Sequence, residues 1–398
     1  MKYDILSSDN GELCHAALGD NCMIKIFLTG DNHIGLKYAS HPQREKLLAL
    51  RISAFEAMVD RANQENCDLF VVAGDLFERT RGIAKRDIKQ LMNILSRFHG
   101  TVAILPGNHD YYGPDVPVWQ DVRAALADVD NVLLLTEFAP CPLTLGEKQV
   151  VLYPALCQSL HSAPRENNLG WIQETEIPQD SAWHIGVAHG AVEGETIDRE
   201  GAYFKMTRAE LEAIPVDAWL IGHTHVPFPR DLGEDYRPEG KIFNAGTHVQ
   251  TDVNCATEGQ CFLIEIDEDK QVRAKKFVSG NLRFLRKEIT LTAGNLEAIL
   301  SRELAGVDEN TVVDLILKGA VTPEEYDASR EILEEALSPF LEGTYNDTDL
   351  TKQITRELVE TEFPETSFSA QLLTRLLDDP KEAQLLYELL GTLKEGKK

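Results

Sequence analysis

Asp31, His33, Asp75, Asn108, His189, His223 and His225 are carboxylates, imidazoles and one carboxamide, the side chains that hold hard and borderline divalent metals. They fall in five short groups, each with a glycine: Gly30-Asp31-Asn32-His33, Gly74-Asp75, Gly107-Asn108-His109-Asp110, His189-Gly190 and Gly222-His223-Thr224-His225. The set holds no cysteine, which suits Mn, Fe or Zn better than a soft-metal site. A carboxylate shared between two such ions holds them about 4 Å apart, and the pair lowers the pKa of a bound water and clamps a phosphoryl group for in-line attack. Any single Asp-x-His or His-x-His is weak, because isolated histidines are more often surface or core residues. The weight rests on five groups in order.

Each group follows a short apolar run. Ile24–Thr29, Leu69–Ala73, Thr101–Leu105, His184–Ala188 and Trp219–Ile221 read as buried strands. Between the first three lie helical patterns at Glu45–Gln64 and Asp87–Phe98, so the order is β-α-β-α-β, with right-handed crossovers and a buried sheet. Ligands gather outside the carboxyl ends of strands in such sheets, which should bring the five groups together. The nearby glycines let the backbone turn sharply. Further strands are expected at Val150–Tyr153, Lys241–Phe243, Gln260–Ile266 and Val272–Val278. The last three have hairpin-like connections and suggest a second sheet facing the first, with helices outside.

The 398 residues suffice for more than one domain. Residues 1–22 read as a loose extension, with Met23 a candidate start; residues 23–280 as the catalytic domain; 281–362 as a small α/β domain; 363–398 as a C-terminal helical segment. No secretory pattern and no apolar run of roughly 20 residues is present, so no membrane span is expected. Seven cysteines without a C-x-x-C pair argue for reduced thiols and a cytoplasmic location. The formal charge of −26 is unlike that of a generic nucleic-acid binder, and places any DNA contact on bound cations or a local basic patch.

The five motifs resemble the signature of the calcineurin-like metallophosphoesterases over about Met23 to Thr247. The resemblance implies an α/β fold: a four-layer α-β-β-α sandwich with a small α/β capping domain and C-terminal helices. It implies that Asp31, His33, Asp75 and His225 hold one ion and that Asp75, Asn108, His189 and His223 hold the other, with Asp75 bridging. His109 is then no ligand. It stabilises the transition state or protonates the leaving oxygen. Asp31-Asn32-His33-Ile34-Gly35, Gly74-Asp75-Leu76-Phe77 and Pro106-Gly107-Asn108-His109-Asp110 are most similar to SbcD-like DNA repair nucleases. That similarity implies exonuclease or endonuclease activity on DNA, two divalent ions (Mn2+ first, Fe2+ or Zn2+ otherwise), an SbcC-like coiled-coil ABC ATPase as partner, and a homodimer. The resemblance departs at Glu78, where the nuclease family often has histidine. Glu78-Arg79 instead resembles the Asp-Arg of phosphoprotein phosphatases, which implies that Glu78 orients His109.

Arg79, Arg81, Lys85 and Arg86 form a local basic cluster after Asp75, either a DNA-backbone contact or a solvated helix start. Tyr111 and Tyr112 either stack on a base or pack beneath their loop. Asp379-Pro380-Lys381-Glu382 fits an N-cap, a proline at the first helical position and a capping-box glutamate. After it Ala383, Leu386, Leu390 and Leu393 share a face, widened by Leu385 and Leu389, for docking on the chain itself or on a partner. Besides a DNA nuclease, two readings stay open: a phosphatase or cyclic phosphodiesterase acting on a small ester, and a scaffold that keeps the fold.

Overall fold

A computed structural model describes residues 23–164, 166–195, 202–238, 240–255 and 257–395; the expected extension 1–22 lies outside them. The described residues divide into two compact units, with the main cut between Gly280 and Asn281.

In the first unit the strands are β1 (Met23–Thr29), β2 (Leu69–Ala73), β3 (Thr101–Leu105), β4 (Val132–Leu134), β5 (Cys141–Leu145), β6 (Lys148–Ala155), β7 (Trp183–His189), β8 (Ala218–Gly222), β9 (Arg237–Pro238), β10 (Ile242–Phe243), β11 (Gln260–Asp267) and β12 (Val272–Val278). The helices are α1 (Arg44–Gln64), α2 (Lys85–Leu95), α3 (Pro117–Ala125), α4 (Gly170–Gln173) and α5 (Arg208–Ala213). One sheet runs β4-β3-β2-β1-β11-β12-β9, the other β10-β8-β7-β6-β5. Period-2 alternation sorts the side chains into layers. Ile24, Ile26 and Leu28 of β1 join Val71, Leu152, Ile185 and Leu220 in the core between the sheets. Phe27 points the other way, with Phe70 and Ile104, into a core shared with Phe55 and Val59 of α1 and Leu91 of α2. On the far side of the second sheet, Trp219 and Ile221 pack with Ile172 of α4 and Leu211 of α5. The result is a four-layer α-β-β-α sandwich.

One expectation is corrected. The β11–β12 hairpin does not belong to the second sheet: β11 pairs antiparallel with β1, Ile24 opposite Ile266, and extends the first. Only β10 joins the second sheet, parallel to β8. Alternating apolar residues say that a strand has a buried face; they do not say which backbone it pairs with.

The second unit holds β13 (Arg283–Thr292), α6 (Leu296–Leu304), β14 (Thr311–Val321), α7 (Pro323–Leu337), β15 (Glu342–Lys352), α8 (Arg356–Glu362), α9 (Phe368–Leu376) and α10 (Pro380–Glu395). Its strands form a parallel sheet in chain order, packed through Leu291, Leu315 and Leu317 on Leu300 and Leu333 of the helices. A capping box between Thr322 and Glu325 starts α7. The last helices have a small core of their own, Ile354, Val359, Phe363, Ala370, Leu373 and Ala383, with Leu386 and Leu390 against it. Asp379 accepts the Glu382 amide at 3.2 Å, capping α10. The apolar stripe expected on this helix is split. Leu393 turns outward with Leu385 and Leu389 instead of inward with Leu390.

Candidate metal centre

The glycine-flanked groups leave the carboxyl ends of β1, β2 and β3 in one sheet and of β7 and β8 in the other. The first two loops are laced together. The Asp31 amide donates to the Gly74 carbonyl (3.1 Å) and the His33 amide to that of Asp75 (2.9 Å). Asp31, His33, Asp75 and His225 all have positive φ, 50°, 46°, 52° and 54°, a region that costs a side-chain-bearing residue strain and concentrates at functional sites. Gly74, with φ of +90°, is required twice over, since a Cβ there would run into the His189 ring. At Gly107 it would strike the Asp75 carboxylate.

Around Asp75 the donor atoms converge. His33 Nε2 lies 3.7 Å and His189 Nε2 3.4 Å from Asp75 Oδ2. On one side His33 Nε2 and His225 Nε2 are 2.9 Å apart, and the ligand atoms of Asp31, His33 and His225 fall within 4.8 Å of one another. On the other side Asn108 Oδ1 lies 3.0 Å from His189 Nε2 and 3.1 Å from His223 Nδ1. Asp31 accepts the His223 amide on both oxygens, at 2.8 and 2.9 Å, which ties the β1 and β8 loops. His189 Nδ1 meets the Ala73 carbonyl at 2.9 Å, which fixes its ring and turns Nε2 into the site.

The electrostatics fit cations. Asp31 and Asp75 are both buried, and no lysine or arginine among the described residues pairs with either. Burial would raise Asp75, but His189, then His33 and His109, outweigh it and hold the carboxyl far below its usual range. Burial opposes the charge on His189 too, yet Asp75 raises it to about 9. Asp31 is pushed up to about 7 by burial and by the nearby Asp75 charge, against the pull of His189. Burial lowers His33 and His225, which keeps both imidazoles neutral, the form that ligates metal. A buried pair of carboxylates ringed by imidazoles and a carboxamide oxygen, with no ammonium or guanidinium among the described residues paired to it, suits divalent cations.

The sequence profile of the calcineurin-like phosphoesterases matches residues 24–227, just over half of the chain. The chain belongs to this family. The match places it among the metallophosphoesterases. Its curated relatives include the uncharacterized metallophosphoesterase YhaO of Bacillus subtilis, 24% identical over 200 residues, 48% of this chain and 45% of that protein. They also include the DNA double-strand break repair protein Mre11 of Archaeoglobus fulgidus, 26% identical over 212 residues, 51% of this chain and 46% of that one. The matches thus span just under half the length of these curated relatives. Among solved structures, TT1561 of Thermus thermophilus aligns over 63% of this chain and 98% of its own, with 13% identity and a TM-score of 0.38, too loose a match to bear on chemistry.

In this metallophosphoesterase His109 sits at the rim, half-buried, its ring 4.8 Å from that of His33. Its Nδ1 lies 3.2 Å from the main-chain carbonyl of Glu78. The Glu78 carboxylate, expected to orient His109, lies closest to His33, with Oε2 3.1 Å from Nδ1, and has a carboxylate oxygen within 4.8 Å of a His109 ring nitrogen. The backbone of Glu78 thus serves one histidine and its side chain lies nearest the other. Arg79 and Arg81 are exposed, while Lys85 pairs with Asp121 and Arg86 with Asp87. Tyr111 is half-buried; Tyr112 packs against both large cores, and its hydroxyl accepts from Arg123.

Other supports escaped the sequence reading. Asp110 is fully buried and accepts the amides of Gly107 (2.7 Å) and Phe77 (3.0 Å), joining the second and third loops. Asn244 donates to Thr224 Oγ1 (2.8 Å) and accepts the Gly246 amide (2.7 Å), bracing the loop that carries His223 and His225. Asp110, at the end of its motif, could have been flagged as the acid a tight loop needs; Asn244 carries no such signal. His161 has its ring 5.2 Å from that of Tyr203, whose ring in turn lies 5.1 Å from His223.

Proposed function

We propose that this metallophosphoesterase is a two-metal phosphodiesterase acting on DNA, of the SbcD-like repair nuclease kind. The observation that carries the two-metal reading is the double-sided donor set on Asp75: His33 and His225 with Asp31 on one side, Asn108, His189 and His223 on the other. Asp31, His33, Asp75 and His225 would hold one cation and Asp75, Asn108, His189 and His223 the second. When bound, such a pair polarises the phosphoryl group and acidifies the attacking water. The chain's own residues do the rest. Contact of His109 Nδ1 with the Glu78 carbonyl orients the ring and leaves Nε2 to deliver a proton to the leaving oxygen. Asp75 fixes the His109 backbone by accepting its amide at 2.8 Å.

DNA as the substrate is supported by the Mre11 relative and by Arg79 and Arg81, exposed on the loop that leaves Asp75. In a chain of charge −26 this local positive patch is where a phosphate backbone would be met. Mn2+ is the proposed metal. The unit after Asn281 is proposed as a capping domain and the outward Leu385, Leu389 and Leu393, spaced four apart, as a seat for a coiled-coil ATPase subunit. The test is a Mn2+-supplemented assay on single- and double-stranded DNA beside a small phosphodiester. Cleavage of DNA supports the reading; turnover of the small ester alone moves the protein to the small-ester phosphatases and cyclic phosphodiesterases.

A further inference from the structure

Arg51 lies in the middle of α1 and is 1% exposed, among the largest fully buried side chains. Among the described residues no carboxylate forms an ion pair with it. Its Nη2 donates to the main-chain carbonyl of Asn32, Nη1 lies 3.5 Å from the Tyr38 hydroxyl, and Nε is buried without a hydrogen-bond partner. The Tyr38 ring stands 5.5 Å from the guanidinium carbon. A buried guanidinium without an ion pair costs desolvation, and burial outweighs the help it gets from Tyr38 and the Glu78 charge. Stability alone is a poor account of the arginine.

The bond to Asn32 is a better one. Asn32 is the residue between Asp31 and His33, both of which hold positive φ. From the inside the loop is tied by the Gly74 and Asp75 carbonyls, and Asn32 Nδ2 donates to Thr29 Oγ1 at 3.0 Å. Arg51 supplies a further tie from α1, on the Asn32 carbonyl. His248 braces the same turn of α1 from beneath, its Nε2 3.1 Å from the Arg51 carbonyl.

We infer that Arg51 is a positioning residue: its guanidinium, held on a rigid helix, locks the Asn32 peptide so that Asp31 and His33 present their ligand atoms together. The inference rests on the two-metal reading above. It assigns Arg51 to the cation held by Asp31, His33 and His225 and not to the one held by Asn108, His189 and His223.

The test uses the full chain, stripped with a chelator and titrated with Mn2+ alone by calorimetry. In wild type two binding events are expected. In Arg51→Met one of them should weaken by about 10- to 100-fold, the usual effect of losing a partner behind a metal ligand, while the other stays put. The melting temperature of the metal-free protein should change little, since loss of the buried charge offsets loss of the bond to Asn32. Arg51→Lys, which keeps the charge but not the two-pronged fork, should fall between. Unaltered Mn2+ binding in Arg51→Met overturns the inference, as does equal weakening of both events with a lowered melting temperature, the mark of a residue that only supports the fold. If Arg51→Met does not fold, Arg51→Lys decides: selective weakening supports the inference and wild-type binding overturns it. A wild-type protein that binds no Mn2+ would remove the two-metal reading itself, and the inference with it.

Discussion

The amide of His109 donates to Oδ1 of Asp75 across 2.8 Å, so the residue offered as proton donor and the carboxylate at the centre of the donor set are joined through main chain. The imidazole hangs beyond that joint, turned by the Glu78 carbonyl. Substitutions at the two positions should therefore separate binding of cations from transfer of the proton.

His109→Ala keeps the amide and so keeps the contact with Asp75. Both cations should remain, measured by elemental analysis, while turnover falls by about 10²- to 10⁴-fold, the usual contribution of a positioned acid. The loss should shrink on an ester whose leaving group needs no proton. Loss of one cation from the purified variant would contradict the assignment.

Replacing Arg79 and Arg81 by glutamine should weaken DNA binding and reduce its dependence on salt by roughly two charges. Lys85 and Arg86 already pair with Asp121 and Asp87, so adding them should change little more. Turnover of a small phosphodiester should hold. Equal losses on both substrates would point to damage at the metal centre.

What the sequence showed depended on whether a residue announced itself through a repeating local pattern. The runs that became β1, β2, β3, β7 and β8 were readable because each is apolar, short and followed by glycine and a polar residue. β15 carries no such signal, because EGTYNDTDLTK buries little beyond Leu350 and Thr351 and so shows no alternation. The sheet that β11 joins is a matter of pairing, which periodicity does not carry. Within the centre, side chains at strand ends were visible as candidates. Arg51 was not, since a polar residue in an amphipathic helix reads as surface, and only packing reveals that it is inside.

Burial, with the Arg51 charge nearby, pushes His248 well below its ordinary value, so the folded protein keeps it neutral. The unfolded chain takes up a proton below about pH 6.5 and the folded one does not, so this stability is intact above that pH and is lost as pH falls. Denaturant titrations of metal-free protein should show it. His248→Gln, which retains a donor for the Arg51 carbonyl, should lessen the acid loss by up to about 1.4 kcal/mol per pH unit relative to wild type. Parallel wild-type and variant curves from pH 7 to 5 would refute the role of His248.

Leu385, Leu389 and Leu393 are 61%, 55% and 64% exposed, whereas Leu373 and Ala383 are buried in the small C-terminal core. Truncation from Ser369 would remove both groups, so changing the three leucines to glutamine is the cleaner variant. Association with a coiled-coil ATPase subunit should be abolished in pull-down, with metal-dependent cleavage of a small phosphodiester unchanged. Retained association would leave this face without a role in docking.

The shared carboxylate is the centre of the account, and counting cations tests it most directly. Equilibrium dialysis of the full chain against Mn2+, read by elemental analysis, should give two ions per chain in wild type. In Asp75→Asn both should weaken together, with activity down on the order of 10³-fold or more because the parts act as a unit. A wild-type count of one, or an Asp75→Asn variant that keeps one ion at wild-type affinity, would contradict the shared site.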